Sequence, residues 1–318
     1  SKMNKILHID VDNRVARVQP GVRNLAISQA AQPHGMYYAP DPSSQIACSI
    51  GGNVAENAGG VHCLKYGLTV HNVLGVRVLT SDGDVMEIGG ALYDNPGLDM
   101  LALLCGSEGM LGIVTEVTVA LLPEPEKKSV ILAGFRQVTD AGNAVASIIG
   151  AGIIPAGMEM MDKLAVEAAE QFAHAGYPLD AAAILIIELD GAAAELDAVT
   201  HQVIGHLQAC GAYQIDQADD AQTQARLWKG RKSAFPAVGR LSPDYICMDG
   251  TIPRHKLAQV LTQIDTLSKA YDLAVANVFH AADGNLHPLI LFDANVPGQT
   301  DHAMAMGSEI LRCCVAAG

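Results

Sequence analysis

The chain has 318 residues, half of them hydrophobic and 17% charged, and its mean hydropathy is +0.22. This composition excludes an intrinsically disordered protein, which combines low hydrophobicity with high charge, and the length predicts roughly two globular domains. The 20 basic and 34 acidic side chains give a net charge of −14, so nucleic acid and anionic membrane surfaces are not expected as partners.

The first third of the chain reads mostly as short strands. Helical periodicity covers residues 24–32 only, and a tight hairpin turn is expected around Asp12 and Asn13. Segments in which apolar and polar residues alternate predict strands at residues 6–9, 14–18, 73–79 and 109–122.

Residues 40–62 differ from the rest, because they are small, glycine-rich and almost free of bulky apolar side chains. Two Gly-Gly pairs, at residues 51–52 and 59–60, allow positive φ and let backbone N–H groups approach a phosphate or a flat ring. The alternative is a long surface loop, since loose glycine patterns are common. The segment lacks the G-x-G-x-x-G of a Rossmann fold, and the glycines of residues 106–112 have the wrong spacing for it.

Pro123 and Pro125 mark a predicted domain boundary, because proline removes a ladder donor and stiffens the chain. We therefore expect domains of residues 1–124 and 125–318. The second begins with a strand, two helices, a strand and a helix, at residues 129–135, 140–151, 162–174, 182–190 and 192–210. This order predicts an α+β domain with helices on one face of a sheet.

Arg231 is the candidate for binding an anion. It follows Trp228 in a basic cluster with Lys229 and Lys232, and a guanidinium suits the two oxygens of a substrate carboxylate. The alternative is a solvated basic helix face.

Two histidines flank a predicted hairpin near the end of the chain. Residues 275–279 and 286–292 alternate as strands around a turn, with His280 and His287 on either side of it. If the two side chains face each other across the hairpin, their Cβ atoms lie about 4.5–5.5 Å apart. The imidazoles could then share one metal ion, or one metal and a substrate hydroxyl. The alternative is a structural pair.

Four segments together resemble one family across essentially the whole chain. They are APDPSSQIACSIGGNVAENAGGVHCLKYGLTVHNVLG (residues 39–75), CGSEGMLGIVTEVTVALLPEP (105–125), GRKSAFPAVGRLSPDYICMDGTIP (230–253) and VFHAADGNLHPLILFDANVPG (278–298). The family is that of the FAD-linked subunit of glycolate oxidase, which comprises D-2-hydroxyacid dehydrogenases with the vanillyl-alcohol-oxidase type of flavin fold.

The resemblance implies an α+β fold of two domains. Residues 1–124 would be the remainder of the FAD-binding domain, whose first pyrophosphate loop is missing. Residues 125–318 would be a cap, or substrate, domain with an antiparallel sheet, whose C-terminal end is missing. By similarity, FAD is lined by Asp41, Pro42, Ser49, Gly51, Gly52, Asn53, Glu56, Asn57, Gly59 and Gly60, and from the next loop by Glu108, Gly112 and Ile113.

The H-x-x-D-G-N-x-H pattern that starts at His280 matches the metal-ligand motif of the family. The resemblance therefore implies a divalent metal (zinc, manganese or iron) on His280 and His287, both also catalytic, and Arg231 on the substrate carboxylate. A further Glu-His pair of the family would lie beyond Gly318. Position 282 is Ala where the family usually has Gly; if it needs positive φ, the alanine costs about 1 kcal/mol.

The expected reaction is oxidation of a small 2-hydroxy acid, glycolate or D-lactate, to the 2-oxo acid by hydride transfer to the flavin. The resemblance implies that electrons pass to a partner or the quinone pool, through companion flavin-like and iron-sulfur subunits. A catalytically incompetent fragment that serves only as a binding or assembly subunit is the alternative. A metallohydrolase using His280 and His287 is disfavoured, because no nucleophile elbow and no third ligand are visible.

The sequence also predicts a cytoplasmic location, or one peripheral to the inner face of the membrane through partner subunits. No apolar run reaches the roughly 18–20 residues that a membrane helix needs, so direct insertion is not expected. Residues 1–10 lack the basic flank and apolar segment of a signal peptide. Seven scattered cysteines, an odd number without C-x-x-C, fit a reducing compartment.

Overall fold

The computed structural model describes residues 2–92 and 96–318, and the chain divides into two compact units, Ser1–Pro125 and Glu126–Gly318. Within the described residues, none of the helices combines the length and the apolar character needed to cross a membrane.

The first unit is built around an antiparallel sheet. Its strands are β1 (Ile6–Asp10), β2 (Val15–Val18), β3 (Met36–Tyr37), β4 (Val73–Leu79), β5 (Val85–Gly89), β6 (Ile113–Ala120) and β7 (Leu122–Pro123). Its helices are α1 (Asn24–Ala31), α2 (Ile50–Glu56), α3 (Cys63–Tyr66), α4 (Thr69–Asn72) and α5 (Met100–Leu104). Five strands pair in the order β1-β2-β6-β4-β5 among the described residues, and β3 pairs with β7.

The predicted hairpin at the start of the chain is confirmed. Strands β1 and β2 pair antiparallel, and the Asp10 carboxylate accepts hydrogen bonds from the Asn13 backbone and side chain, each at 2.9 Å. The strand predicted at residues 109–122 begins only at Ile113, because Gly109 (φ +76°) has a left-handed backbone conformation that a strand does not use.

A buried core joins this sheet to α1 and α2. Val117 and Val119 of β6 are fully buried together with Ile27 of α1, and Ile50 and Val54 of α2 lie in the same cluster. Burial of two residues on one side of α2 fixes that short helix against the sheet, since an isolated helix of seven residues is not stable in water. The glycines of α2 therefore have a fixed position relative to the sheet.

The second unit holds a larger antiparallel sheet. Its strands are β8 (Lys127–Phe135), β9 (Gly157–Asp162), β10 (Ala183–Gly191), β11 (Ala212–Ala218), β12 (Asp244–Cys247), β13 (Gly250–Thr251), β14 (Val275–His280) and β15 (Asn285–Phe292). Its helices are α6 (Val138–Gly150), α7 (Lys163–Ala173), α8 (Ala193–Ala209), α9 (Ala221–Lys232), α10 (Ala234–Val238), α11 (Leu257–Tyr271) and α12 (Gln299–Ala317). The strand order is β11-β8-β10-β9-β14-β15-β12, and β13 pairs with β15.

The expectation that helices cover one face of this sheet is wrong. Every residue of β10 from 183 to 189 is buried. Because successive strand residues point to opposite faces, both faces must be covered. The predicted order also omits β9, which lies between α6 and α7. Apart from this strand, the predicted elements of residues 129–210 are confirmed to within two residues at each end.

Gly205 provides a test of helix stability in the second unit. It is exposed in the interior of α8, and a Cβ added there meets none of the described atoms within 4 Å. Since glycine in a helix interior is less stable than alanine by roughly 0.5–1 kcal/mol, Gly205→Ala is expected to raise the free energy of unfolding by about this amount. Chemical denaturation measures the change, and a decrease in stability would contradict the assignment of Gly205 to an open helix face.

Candidate functional site

In the first unit, the glycine-rich segment forms a short helix beside a groove, rather than a long surface loop. Ser49 precedes α2, and its Oγ accepts a hydrogen bond from the Gly52 N–H at 3.3 Å. A groove of about 550 Å³ runs along this helix, a volume within the usual range for small-molecule sites. The predicted flavin-binding residues that line it are Ser49, Gly51, Gly52, Gly112 and Ile113.

The two predicted flavin segments are hydrogen-bonded to each other. The Gly106 N–H donates to the Val54 carbonyl at 2.8 Å, and the Glu108 N–H donates to the Ala55 carbonyl at 2.9 Å. Glu108 itself is exposed, with φ +53°. The loop before β6 is thus fixed on the C-terminal half of α2, so that both segments contribute to the walls of one groove.

Two predicted asparagines hold the backbone around this groove. The Asn53 side chain is buried and donates to Asn24 Oδ1 at 2.8 Å, and the Asn24 amide donates to the Pro40 carbonyl at 2.8 Å. Asn57 ends α2 with φ +48°, and its Oδ1 accepts from the Val70 N–H at 2.9 Å. Both side chains therefore have structural partners, and their predicted contact with FAD stays a prediction.

Of the other predicted flavin residues, some precede α2 in the chain and others lie at its C-terminal end or in the turn that follows it. Asp41 is buried and lies 3.0 Å from Nδ1 of His62. Gly60 approaches the same residue so closely that an added Cβ would lie 2.6 Å from the Asp41 carbonyl oxygen. Pro42 and Gly59 are half-buried, and Glu56 is exposed. These positions also stay predictions as FAD contacts.

The glycine walls of the groove fit a flat cofactor. A Cβ added to Gly52 would meet only Ser49 Oγ, at 3.3 Å, and one added to Gly109 would meet none of the described atoms within 4 Å. The space beside these two backbones is therefore open to a ligand, while the Gly52 N–H itself already donates to Ser49 Oγ.

In the second unit, His280 and His287 lie on one face of the β14–β15 hairpin, but they are not directly opposite. Val278 pairs with His287, and His280 pairs with Asn285, so the two histidines are diagonal neighbours. Their ring centroids are 5.0 Å apart and their planes are nearly perpendicular, at 88°. The two imidazoles are therefore close together, as predicted, but they are diagonal neighbours and not a directly opposed pair.

The turn between these strands tolerates alanine at position 282. Its left-handed residue is Gly284 (φ +81°), and a Cβ there would lie 2.2 Å from the Ile252 carbonyl oxygen. Ala282 is not among the residues with positive φ. The alanine therefore imposes no backbone strain on the histidines.

Arg231 is buried at the end of α9, so the interpretation as a solvated basic helix face is wrong for this residue. Its side chain is 2% exposed, and Nη2 lies 2.5 Å from Oε2 of Glu159, which is 1% exposed. The other carboxylate oxygen, Oε1, lies 2.8 Å from Nδ1 of His280. Glu159, Arg231, His280 and His287 thus form one connected group, which we call the Glu–Arg–His cluster.

Charges within this cluster determine the protonation of its members. Burial opposes ionisation of Glu159, but Arg231 and His280 outweigh it and lower the pKa of that carboxyl. Burial likewise disfavours the charged His280, yet the Glu159 carboxylate raises its pKa. For His287, burial and then the nearby positive charge of His280 outweigh the opposing effect of Asp249 and lower its pKa to about 4. His287 is therefore neutral at pH 7.

The cluster provides few ligands for a metal. Across residues 2–92 and 96–318, no group of three or more His, Cys, Asp or Glu side chains is arranged to hold an ion. Asp249 is the nearest additional carboxylate to His287, with Oδ1 3.7 Å from Nδ1, but its side chain is 70% exposed. Two imidazoles do not make up such a group, and a metal on His280 and His287 stays a prediction.

Sequence patterns alone do not reveal Glu159 as a site residue. The residue lies 121 positions before His280, and only the order of strands β9 and β14 brings the two together. The available signal is a single charged residue in an otherwise apolar run, Met158 to Met161, because a charge in a buried strand requires a partner.

Comparisons with known proteins agree with the two-unit architecture. Residues 1–89 match an FAD binding domain, and residues 124–318 match the C-terminal domain of FAD linked oxidases. Solved structures of similar fold include alkyldihydroxyacetonephosphate synthase (TM-score 0.79, 18% identity, covering 99% of this chain and 62% of that one). Another is p-cresol methylhydroxylase (TM-score 0.78, 17% identity, 98% and 68%). The predicted two-domain α+β fold is confirmed.

Curated relatives are considerably closer in sequence. Glycolate oxidase subunit GlcD of Escherichia coli (strain K12) is 60% identical over 100% of this chain and 64% of its own length. The subunit of the same name from Bacillus subtilis (strain 168) is 37% identical, over 99% and 67%. D-lactate dehydrogenase of Anaerostipes hadrus is 32% identical, over 90% and 62%. The chain thus spans about two thirds of the length of these relatives, and it belongs to the family of FAD-linked oxidases.

Proposed function

We propose that this protein oxidises a small 2-hydroxy acid, glycolate or D-lactate, to the 2-oxo acid, with FAD as the hydride acceptor. The observation that supports it best is the Glu–Arg–His cluster, in which a buried arginine and two imidazoles lie together in a chain 60% identical to a glycolate oxidase subunit. A substrate with a carboxylate next to a hydroxyl matches this pairing of a cation with a proton acceptor.

In this proposal, Arg231 binds the substrate carboxylate. Its Nη2 lies in an ion pair with Glu159, but within the described part of the chain neither Nη2 nor the buried Nε has a hydrogen-bond partner. A buried donor without an acceptor is unfavourable, and a carboxylate oxygen would satisfy it. Arginine has five N–H donors in a fixed plane, so one guanidinium can bind Glu159 and a second carboxylate together.

The two histidines are proposed to act on the substrate hydroxyl. His287 is neutral at pH 7, since its pKa is about 4, so one ring nitrogen carries a lone pair that can accept a proton or bind a metal. His280 uses Nδ1 toward Glu159 and keeps Nε2 on the opposite side of the ring. The proposed metal, zinc, manganese or iron, would be held by these two imidazoles together with ligands from elsewhere, and it would polarise the substrate hydroxyl.

FAD is proposed to occupy the groove along α2. The backbones of Gly51, Gly52 and Gly112 would border it, with Ser49 and Ile113 at its edges. When bound, the flavin supplies the redox chemistry, and the protein supplies orientation and polarity.

The electrons are proposed to pass to a partner or to the quinone pool. Two relatives are named as subunits of glycolate oxidase, which supports companion subunits; we propose one that is flavin-like and one that carries iron-sulfur clusters. The protein would then be cytoplasmic or bound through those subunits to the inner face of the membrane. A role in assembly alone is the alternative.

An anaerobic visible spectrum tests the proposal. FAD is added to the purified protein, the excess is removed, and the spectrum is recorded before and after glycolate or D-lactate. The proposal expects retained flavin that bleaches with one of these acids. Retained flavin that does not bleach contradicts the activity, and a colourless protein favours the assembly role.

Variants of the histidines connect that activity to the Glu–Arg–His cluster. We expect His280→Ala to retain flavin and to lose bleaching, because the reaction loses a group that contacts the hydroxyl or its metal. His201→Ala, which removes an exposed histidine of α8, is the control and should bleach normally. Equal bleaching rates in both variants would refute the role of His280.

A further inference from the structure

Glu159 is a buried charge at a place where the sheet by itself needs none. It lies in β9 between Met158 and Met160, both fully buried, and its own side chain is 1% exposed. A carboxylate is strongly unfavourable in such surroundings unless it is paired and hydrogen-bonded. An apolar residue would pack there without that penalty, so the partners of Glu159 should reveal its role.

The two carboxylate oxygens of Glu159 contact side chains from two different elements of the unit. Oε2 lies 2.5 Å from Nη2 of Arg231 at the end of α9, and Oε1 lies 2.8 Å from Nδ1 of His280 at the end of β14. The second contact is built into the sheet, since Glu159 and His280 are directly paired across β9 and β14.

A separate contact fixes the end of α9 that carries Arg231. The Tyr177 hydroxyl donates to the Leu227 carbonyl of α9 at 2.5 Å. Gly230 allows this contact, because a Cβ there would fall within 2.4 Å of the Tyr177 oxygen. Arginine and histidine thus approach Glu159 from independently anchored elements, and the carboxylate is the point that joins them.

We propose that Glu159 is a positioning residue that holds Arg231 in place and fixes His280 in the tautomer with the proton on Nδ1. An ionised carboxylate can only accept hydrogen bonds, so Nδ1 must donate. In a neutral imidazole the other nitrogen, Nε2, then carries the lone pair. Whether that lone pair accepts a proton from a hydroxyl or binds a metal depends on the proposed function. The assignment of the tautomer does not depend on it.

Glu159→Gln is the variant that separates this role from simple packing. Glutamine has the same shape, but it offers one acceptor oxygen and one donor NH₂. Arg231 can only donate, so it should take the oxygen and leave the NH₂ facing His280. Nδ1 would then have to accept, and the proton would move to Nε2. We therefore expect a change of tautomer without a change of fold.

Nitrogen NMR measures the tautomer directly, with or without FAD or substrate. The protein is labelled with ¹⁵N-histidine, and long-range ¹H–¹⁵N correlations are recorded at about pH 9, above the ordinary imidazole pKa of about 6.5. His280 is assigned by its loss in His280→Gln. We expect the Nδ1–H form in the native protein, the Nε2–H form in Glu159→Gln, and a return to Nδ1–H in Glu159→Asp, which restores the carboxylate.

Glu188 provides the matched control. It is a buried glutamate on the neighbouring strand β10, 3.4 Å from Nζ of Lys128. Glu188→Gln should leave the His280 signals unchanged. The proposal is overturned if His280 in the native protein carries its proton on Nε2, if Glu159→Gln keeps the native tautomer, or if Glu188→Gln changes it as much.

Kinetics then show whether the positioning matters for the reaction. We expect Glu159→Gln to lower kcat/KM for the 2-hydroxy acid by about tenfold to a hundredfold, with a raised KM because Arg231 exchanges a charged partner for a neutral one, while Glu188→Gln stays at the native value. Native kinetics in a variant with a switched tautomer would overturn the role in catalysis. If the native protein oxidises no 2-hydroxy acid, the proposed function fails, and the NMR result still decides the positioning.

Discussion

Replacing Arg231 by methionine is expected to lower the free energy of unfolding by about 3–5 kcal/mol at pH 7. The variant keeps much of the length of the side chain but removes its charge, which leaves the carboxylate of Glu159 almost wholly buried beside His280. Breaking a buried ion pair by removing one partner typically has a cost of this size, because the remaining charge is uncompensated. Chemical denaturation of native and variant protein measures it.

A double variant tests whether the uncompensated charge is the cause. Glu159→Gln combined with Arg231→Met removes both charges and leaves the volume nearly unchanged. Replacing both members of a buried pair is often close to neutral, so the double variant should recover most of the loss. If it is as unstable as Arg231→Met alone, packing of the arginine stem rather than charge accounts for the effect.

The stability of the native protein and that of Arg231→Met are expected to change with pH in opposite directions. In the native protein the pKa of Glu159 is lowered, so its contribution to stability is present above the unfolded pKa of about 4.3 and is lost as the pH falls through the folded value. Without Arg231, burial should raise the pKa of Glu159 above the unfolded value. The destabilisation then disappears as the pH falls from 7 toward about 4.5. Unfolding at several pH values should show the two stability curves converging; parallel curves would contradict this account.

Sequence patterns predict the strands that show either regular alternation or a long apolar run, such as β10. The strand at residues 73–79 is found with these ends, and the β14–β15 hairpin follows from alternation around a turn. Strand β9 is missed because it is short and Glu159 interrupts its apolar residues, so that Met158–Met161 shows neither a period of two nor a continuous apolar run. The long helices α11 and α12 are likewise not among the predicted elements.

For the candidate site, spacing finds residues close in the chain and misses those brought together by the sheet. His280 and His287 are found from a short motif, but their diagonal register depends on the turn geometry set by Gly284. Glu159 comes from a strand that is distant in sequence and adjacent only through the order β9-β14-β15. The burial of Arg231 likewise depends on how α9 packs, which a basic run of residues cannot indicate.

Gly52→Ala is expected to weaken FAD binding by about tenfold to a hundredfold while leaving the fold intact. The added methyl group would meet Ser49 Oγ at 3.3 Å and otherwise project into the groove along α2, where the proposal places the cofactor. Forcing an extra methyl group into a well-packed contact costs about 1–3 kcal/mol, which corresponds to this change in affinity. Titration of the apoprotein with FAD, followed by flavin fluorescence, gives the dissociation constant.

Gly51→Ala separates a change in the groove from a change in the fold. At Gly51 the new Cβ would lie 2.6 Å from Cβ of Pro20 and 3.1 Å from its carbonyl oxygen, so α2 itself must move. This variant should lose thermal stability together with FAD, whereas Gly52→Ala should lose affinity alone, and Gly205→Ala, in the other unit, should lose neither. Because the two glycines are adjacent in α2, only their different surroundings can produce different results. Unchanged affinity in Gly52→Ala would show that FAD does not lie along this side of the helix.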